Sequence, residues 1–144
     1  MKVTLLLADA AQAVGGKLYV LGGGWSVTGP GPVPMALALK IEVPWTEANR
    51  THSITLELLD EDGAPVQPEG QPQPVRIEGQ FEVGRPPGLP EGTPIDASLA
   101  LNIPPIQLTP GRRYSWRLQI DGESQADWHT AFLVRATAPG FVEQ

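Results

Sequence analysis

The residues of this chain with chemistry to offer are few: His52 and His129, four tryptophans, and carboxylates gathered in two turns. The turns are Asp60-Glu61-Asp62-Gly63 and the stretch holding Asp121, Glu123 and Asp127. Oxygen-rich loops of this kind can hold calcium, which needs six to eight oxygens. Asp-Gly is also ordinary hairpin chemistry that requires no ion, and both stretches are read as turns. Without cysteine, a zinc site would have to complete its ligands with carboxylates. Ser53, His129 and Asp127 could be drawn as a triad, but nothing around Ser53 resembles a nucleophile elbow. Both histidines are therefore expected on strand surfaces near loops. Gly16-Lys17 has the outline of a phosphate loop, yet Leu18 stands where Ser or Thr should reach magnesium, and Ala11 where the first glycine belongs. Gly22-Gly23-Gly24 lacks dinucleotide-binding spacing. We expect no catalytic residue, no cofactor and no metal, and read the chain as not an enzyme.

The tryptophans divide by strand phase. Trp116 is in step with Leu118 and Ile120 and should lie in the core, and Trp128 shares the phase of Phe132. Trp25 and Trp45 sit beside glycine and proline turns. They are the two candidates for meeting a ligand or partner, since an exposed indole can stack on a sugar or anchor a protein contact.

These side chains must be positioned by strands. Met35, Leu37, Leu39, Ile41 and Val43 alternate with Ala36, Ala38, Lys40 and Glu42. Ile54, Leu56 and Leu58 repeat the pattern, as do Val75 to Val83, Ile95 to Ile103, Tyr114 to Ile120, and Trp128 to Arg135. A period of two puts one face of each strand in a core and the other in water, the mark of an antiparallel sandwich or barrel. Val3–Ala8 and Lys17–Leu21 flank Gly15-Gly16, a pair suited to a hairpin turn. The apolar start after Lys2 imitates a signal peptide, but Asp9 interrupts it after about six residues, short of the roughly 7–15 required. We expect a first strand that stays on the mature protein. No helical period is sustained, and Thr46–Arg50 allows one turn at most.

The 144 residues fit one domain spanning 1–144. With 16 Gly and 16 Pro the chain is rich in turns. Pro65/Pro68 and Pro87/Pro90 match the spacing of SH3-type ligands, but both lie in stretches we read as stiff inter-strand loops. A net charge of −6 without a Lys/Arg cluster disfavours nucleic acid and anionic membrane as partners. No run approaches the roughly 20 apolar residues of a membrane helix. Absence of cysteine suits a reducing cytoplasm, the compartment we expect.

Leu108-Thr109-Pro110-Gly111-Arg112-Arg113-Tyr114 is the most specific local pattern. It resembles the tyrosine corner of Greek-key sandwiches, in which a Tyr opening a late strand bonds back to nearby backbone. The fold expected is thus a two-sheet antiparallel sandwich, immunoglobulin/fibronectin-like, with about seven to nine strands. The chain as a whole resembles a family of uncharacterised bacterial all-β proteins of about 140 residues. The resemblance rests on Ala8-Asp9-Ala10-Ala11, Gly16-Lys17-Leu18, Gly22-Gly23-Gly24-Trp25, Pro44-Trp45-Thr46-Glu47, Leu58-Leu59-Asp60-Glu61-Asp62-Gly63 and the Pro-Gly turn before Tyr114. It implies a bacterial, intracellular β protein and carries over no functional residue. The function expected is a non-catalytic protein-interaction or structural module, binding protein or self-associating. The alternative is a small-ligand or carbohydrate-binding domain.

Overall fold

The computed structural model describes residues 1–136. Among them the chain forms nine strands: β1 (Lys2–Val14), β2 (Lys17–Gly23), β3 (Val27–Thr28), β4 (Val33–Val43), β5 (His52–Asp60), β6 (Arg76–Phe81), β7 (Ile95–Ile106), β8 (Arg113–Ile120) and β9 (His129–Val134). One 3-10 turn, Trp45–Glu47, links β4 to β5. One sheet has the order β2-β1-β4-β7 and the other β3-β9-β8-β5-β6. Every pairing is antiparallel except the short one between β3 and β9.

Register follows from the alternation. Leu5, Leu39 and Leu99 stand abreast across β1, β4 and β7, and Leu7, Leu37 and Leu101 do so two residues on. In the second sheet Leu56 faces Leu118 and Leu58 faces Trp116. The inward sets merge into one core of Leu7, Leu37, Leu39 and Ile41 against Leu56, Leu58, Trp116, Leu118 and Phe132. A one-residue slip in any of these strands would turn its apolar set out to water, so the pattern pins the register. Trp116 is fully buried and its indole Nε1 lies 3.4 Å from Met35 Sδ of the opposite sheet.

Tyr114 is buried, its ring stacks on Phe132 at 5.8 Å, and its hydroxyl accepts the Thr109 N–H at 3.0 Å. The turn therefore closes on the phenol five residues upstream, as the spacing predicts.

The first strand departs from expectation. β1 does not stop at Ala8 but runs for 13 residues. Its first half pairs with β4, from Lys2 opposite Glu42 to Ala8 opposite Ala36, and its second half pairs with β2. The turn between β1 and β2 is made by Gly15 and Gly16, at φ 58° and 76°. Positive φ at both central residues matches the twist of a two-residue hairpin and is open to glycine without strain. This hairpin folds across the outer face of its own sheet. Asn102 of β7 receives the Ala11 N–H on Oδ1 at 3.2 Å and gives its Nδ2–H to the Ala11 carbonyl at 2.8 Å. Ser98 Oγ donates to the Gly16 carbonyl at 3.2 Å. Ala36 and Ala38, expected on a wet face, are buried beneath it together with Ala8 and Ala11. Methyl-sized side chains let the two layers of backbone approach closely, which is why the hairpin can lie there.

Candidate functional site

Trp25 and Trp45 fall at opposite ends of the second sheet. Trp25 packs edge-on against Phe132, which stands opposite Tyr114 at the level of Asp60, the end of β5. It is half-buried, and its indole N–H meets no acceptor among the described residues, so the ring contributes by packing. Trp45 lies beyond the other end of β5, in the turn before His52. The Arg85 guanidinium sits 4.5 Å over its ring and donates from Nη2 to the Trp45 carbonyl at 2.6 Å. Trp45 also lines a shallow cleft of about 730 Å³ with Glu42, Pro44, Glu91 and Pro94. A strand's length separates the two rings, so they do not form one stacking platform.

The Asp60–Gly63 turn is occupied with its own backbone, and Asp121 of the other acidic stretch is taken up by His52 and the Ser53 N–H. Asp60 Oδ1 accepts the N–H groups of Asp62 and Ala64, each at 2.9 Å, and Glu61 faces Arg112 at 3.5 Å. Among the described residues no group of three or more metal-ligating side chains converges.

His52 corrects the expectation of an exposed histidine. It is 1% exposed and stacks on Phe81 at 5.3 Å. Its Nδ1 lies 2.7 Å from Asp121 Oδ2 and its Nε2 lies 2.8 Å from the Glu47 carbonyl. Both partners can only accept, so a ring bearing protons on both nitrogens satisfies both contacts, whereas a neutral ring satisfies one. Burial works against that cation. The hydrogen bond to Asp121, that to the Glu47 carbonyl and the charges of Asp121 and Glu47 outweigh it and hold the His52 pKa above its ordinary value. Asp121 is lowered, chiefly by the bond from His52 and despite its own desolvation. The pair clamps the β4–β5 turn to the turn after β8. It is a tether between two turns. His129 is exposed and accounts for itself by a bond to the Ala126 carbonyl at 2.7 Å.

The surface feature that no structural role absorbs is the outer edge of β2. Tyr19 is 56% exposed, Leu21 70% and Val20 39%, with Val14 of β1 beside them at 50%. Tyr19 and Leu21 stand on the solvent face of the hairpin, and Leu18 on the face that packs on the buried alanines. Backbone directions follow from the pairing. Ala11 is opposite Val20 and spends its N–H and C=O on Asn102, away from β2. That makes Ala11 and Val20 a non-hydrogen-bonded pair, and in an antiparallel ladder such pairs alternate with bonded ones. The N–H and C=O of Val20, and by the same alternation those of Leu18, therefore point out from the free edge.

The remaining sheet edges are blunted in familiar ways. β7 carries Pro104 and Pro105, β6 carries Arg76 and Glu78, and β3 has two residues. β2 has no proline, and its single charge is Lys17 at its start. Sequence reasoning passed over Tyr19, Val20 and Leu21. The available signal was a strand apolar on both faces without a gatekeeping charge in its middle.

Among the described residues no helix is long and apolar enough to cross a membrane. Residues 3–132 match the model of a family of unknown function, DUF6941, and the chain belongs to that family. Neither a curated protein nor a solved structure matches the chain.

Proposed function

We propose that this member of the DUF6941 family is a non-catalytic protein-interaction module carried on an immunoglobulin/fibronectin-type Greek-key sandwich. The single observation carrying the interaction reading is the β2 edge, with outward backbone groups at Leu18 and Val20 and large apolar side chains at Tyr19 and Leu21. An edge of that kind recruits another strand: the main-chain bonds supply affinity and the flanking side chains supply selection. The Greek-key assignment is supported by two features. The pairs β1–β4, β4–β7 and β5–β8 join strands that are not consecutive in the chain, and Tyr114 closes its corner on Thr109. A bacterial cytoplasm goes with this reading, in keeping with a cysteine-free sequence. A photo-crosslinking residue placed at Leu21 should capture a protein in native host cells. The same residue at exposed Ser53 serves as the control, and equal, background-level capture at both positions would refute the module.

A second reading, a carbohydrate or other small-ligand site, is favoured by the cleft at Trp45. There Trp45, Glu42 and Glu91 line one concave surface, with Lys2 beside the Glu42 carboxylate. Sugars stack on aromatic rings while carboxylates accept their hydroxyls. Titration with an oligosaccharide panel would be followed by indole fluorescence, with a response lost in Trp45→Ala. No response across the panel rejects it.

A further inference from the structure

We infer that the occupant of the β2 edge is a second copy of this chain, paired antiparallel about Val20; the inference rests on the interaction-module reading. Two four-stranded sheets then become one continuous sheet of eight.

The strand is complementary to itself. A two-fold axis at Val20 sets Val20 against Val20, each giving and accepting one of the outward main-chain bonds. Tyr19 then stands opposite Leu21 of the second copy, and Leu21 opposite its Tyr19. These are non-hydrogen-bonded pairs, the class in which facing side chains approach closest. The most exposed apolar residues of the strand, Tyr19 and Leu21, thus cover one another. Lys17 falls opposite Gly23, so no like charges meet across the seam. Such an interface is isologous and closes at two copies, leaving no β2 edge open for a third.

Area sets the strength. Tyr19, Val20 and Leu21 are 56%, 39% and 70% exposed, and a seam made of these three side chains and one strand of backbone per copy falls at or below the roughly 1,000 Å² expected of a stable specific interface. The dimer is therefore weak and concentration-dependent. The hairpin is already pinned by Asn102 and Ser98, so pairing orders little that was free. Each copy carries a net −6, and the two bodies repel at a distance. Moderate salt screens that repulsion and tightens the dimer, the reverse of what a charge-driven contact would show.

Sedimentation equilibrium of the full chain from micromolar to near-millimolar concentration should show mass rising from one chain toward two, more readily with added salt. Leu21→Lys should weaken association about tenfold or more by setting a charge into the seam, with an unchanged far-UV spectrum. Because the chain has no cysteine, Val20→Cys gives an independent readout. Mild oxidation should yield a disulfide-linked dimer from Val20→Cys and none from Ser53→Cys. A single-chain mass throughout, with no more cross-linked product from Val20→Cys than from Ser53→Cys, overturns the second copy. If a crosslinker at Leu21 still captures a different protein in that case, the interaction module stands without self-pairing. If it captures none, both fall.

Discussion

At the scale of single residues, His52 was legible in one respect and misleading in another. The phase of Ile54, Leu56 and Leu58 runs back to position 52 and points it inward, while its polarity argued for the surface. Phase won because Asp121 and the Glu47 carbonyl satisfy both ring nitrogens, and neither partner is visible from sequence, Asp121 lying 69 positions away. A pH dependence follows. With the folded pKa of His52 above the unfolded value of about 6.5, its stabilisation is complete below about pH 6.5 and is lost as pH rises through the folded pKa. The lowered Asp121 works at the other end: its contribution is present above its ordinary pKa and is lost as pH falls through the folded value. Urea midpoints of wild type and His52→Gln should therefore differ most in mildly acidic buffer and converge toward alkaline pH. A gap that widens on the alkaline side would show that His52 is buried neutral. Tyr114, by contrast, was readable from local spacing alone. Tyr114→Phe removes only the bond from Thr109 and should lose about 1–2 kcal/mol in urea unfolding with the fold retained. An unchanged midpoint would mean that the bond contributes nothing.

At the scale of elements, strands with one wet face announced themselves and the hairpin did not. Lys40 and Glu42 of β4 mark a solvent side, but Ala36 and Ala38 fit either a wet face or a covered one. Alternation alone cannot tell these apart, and only the path of β1 beyond Ala8 decides it. Nor could the sequence show that Asn102, one polar residue among the outward positions of β7, acts as a substitute strand for Ala11. Its amide offers one acceptor and one donor at a spacing that matches a peptide unit. Asn102→Ala should leave the Ala11 N–H and C=O without partners under the hairpin, at a cost of about 1–3 kcal/mol. Hydrogen exchange at Ala11 should speed up while the core amide of Trp116 stays nearly as protected relative to the new global stability. Unaltered exchange at Ala11 would show the hairpin to be held by its alanine contacts alone.

At the scale of the molecule, the two sheets are bound chiefly by side chains that reach across the middle, and Trp116 is the largest of them. It sits on β8, flanked by β5 and β9, is fully buried, and touches Met35 of the opposite sheet through its indole nitrogen. Its place in the core follows from its phase with Leu118 and Ile120, so this part of the fold is legible in the sequence. Removing the ring leaves a cavity bounded by both sheets, where neither can relax inward without breaking its own register. Trp116→Ala should therefore cost about 3–5 kcal/mol. Against a total stability of roughly 5–15 kcal/mol for a domain, that is a large share, and the loss should fall on both sheets together. In urea the variant should unfold in one transition at a lower midpoint with a similar slope. Far-UV circular dichroism and the exchange of β4 and β8 amides should report the same midpoint. A loss below about 1 kcal/mol would contradict the burial of the ring. Two separated transitions, one for each sheet, would show that the sheets are stable apart and that Trp116 joins them without making them a single cooperative unit.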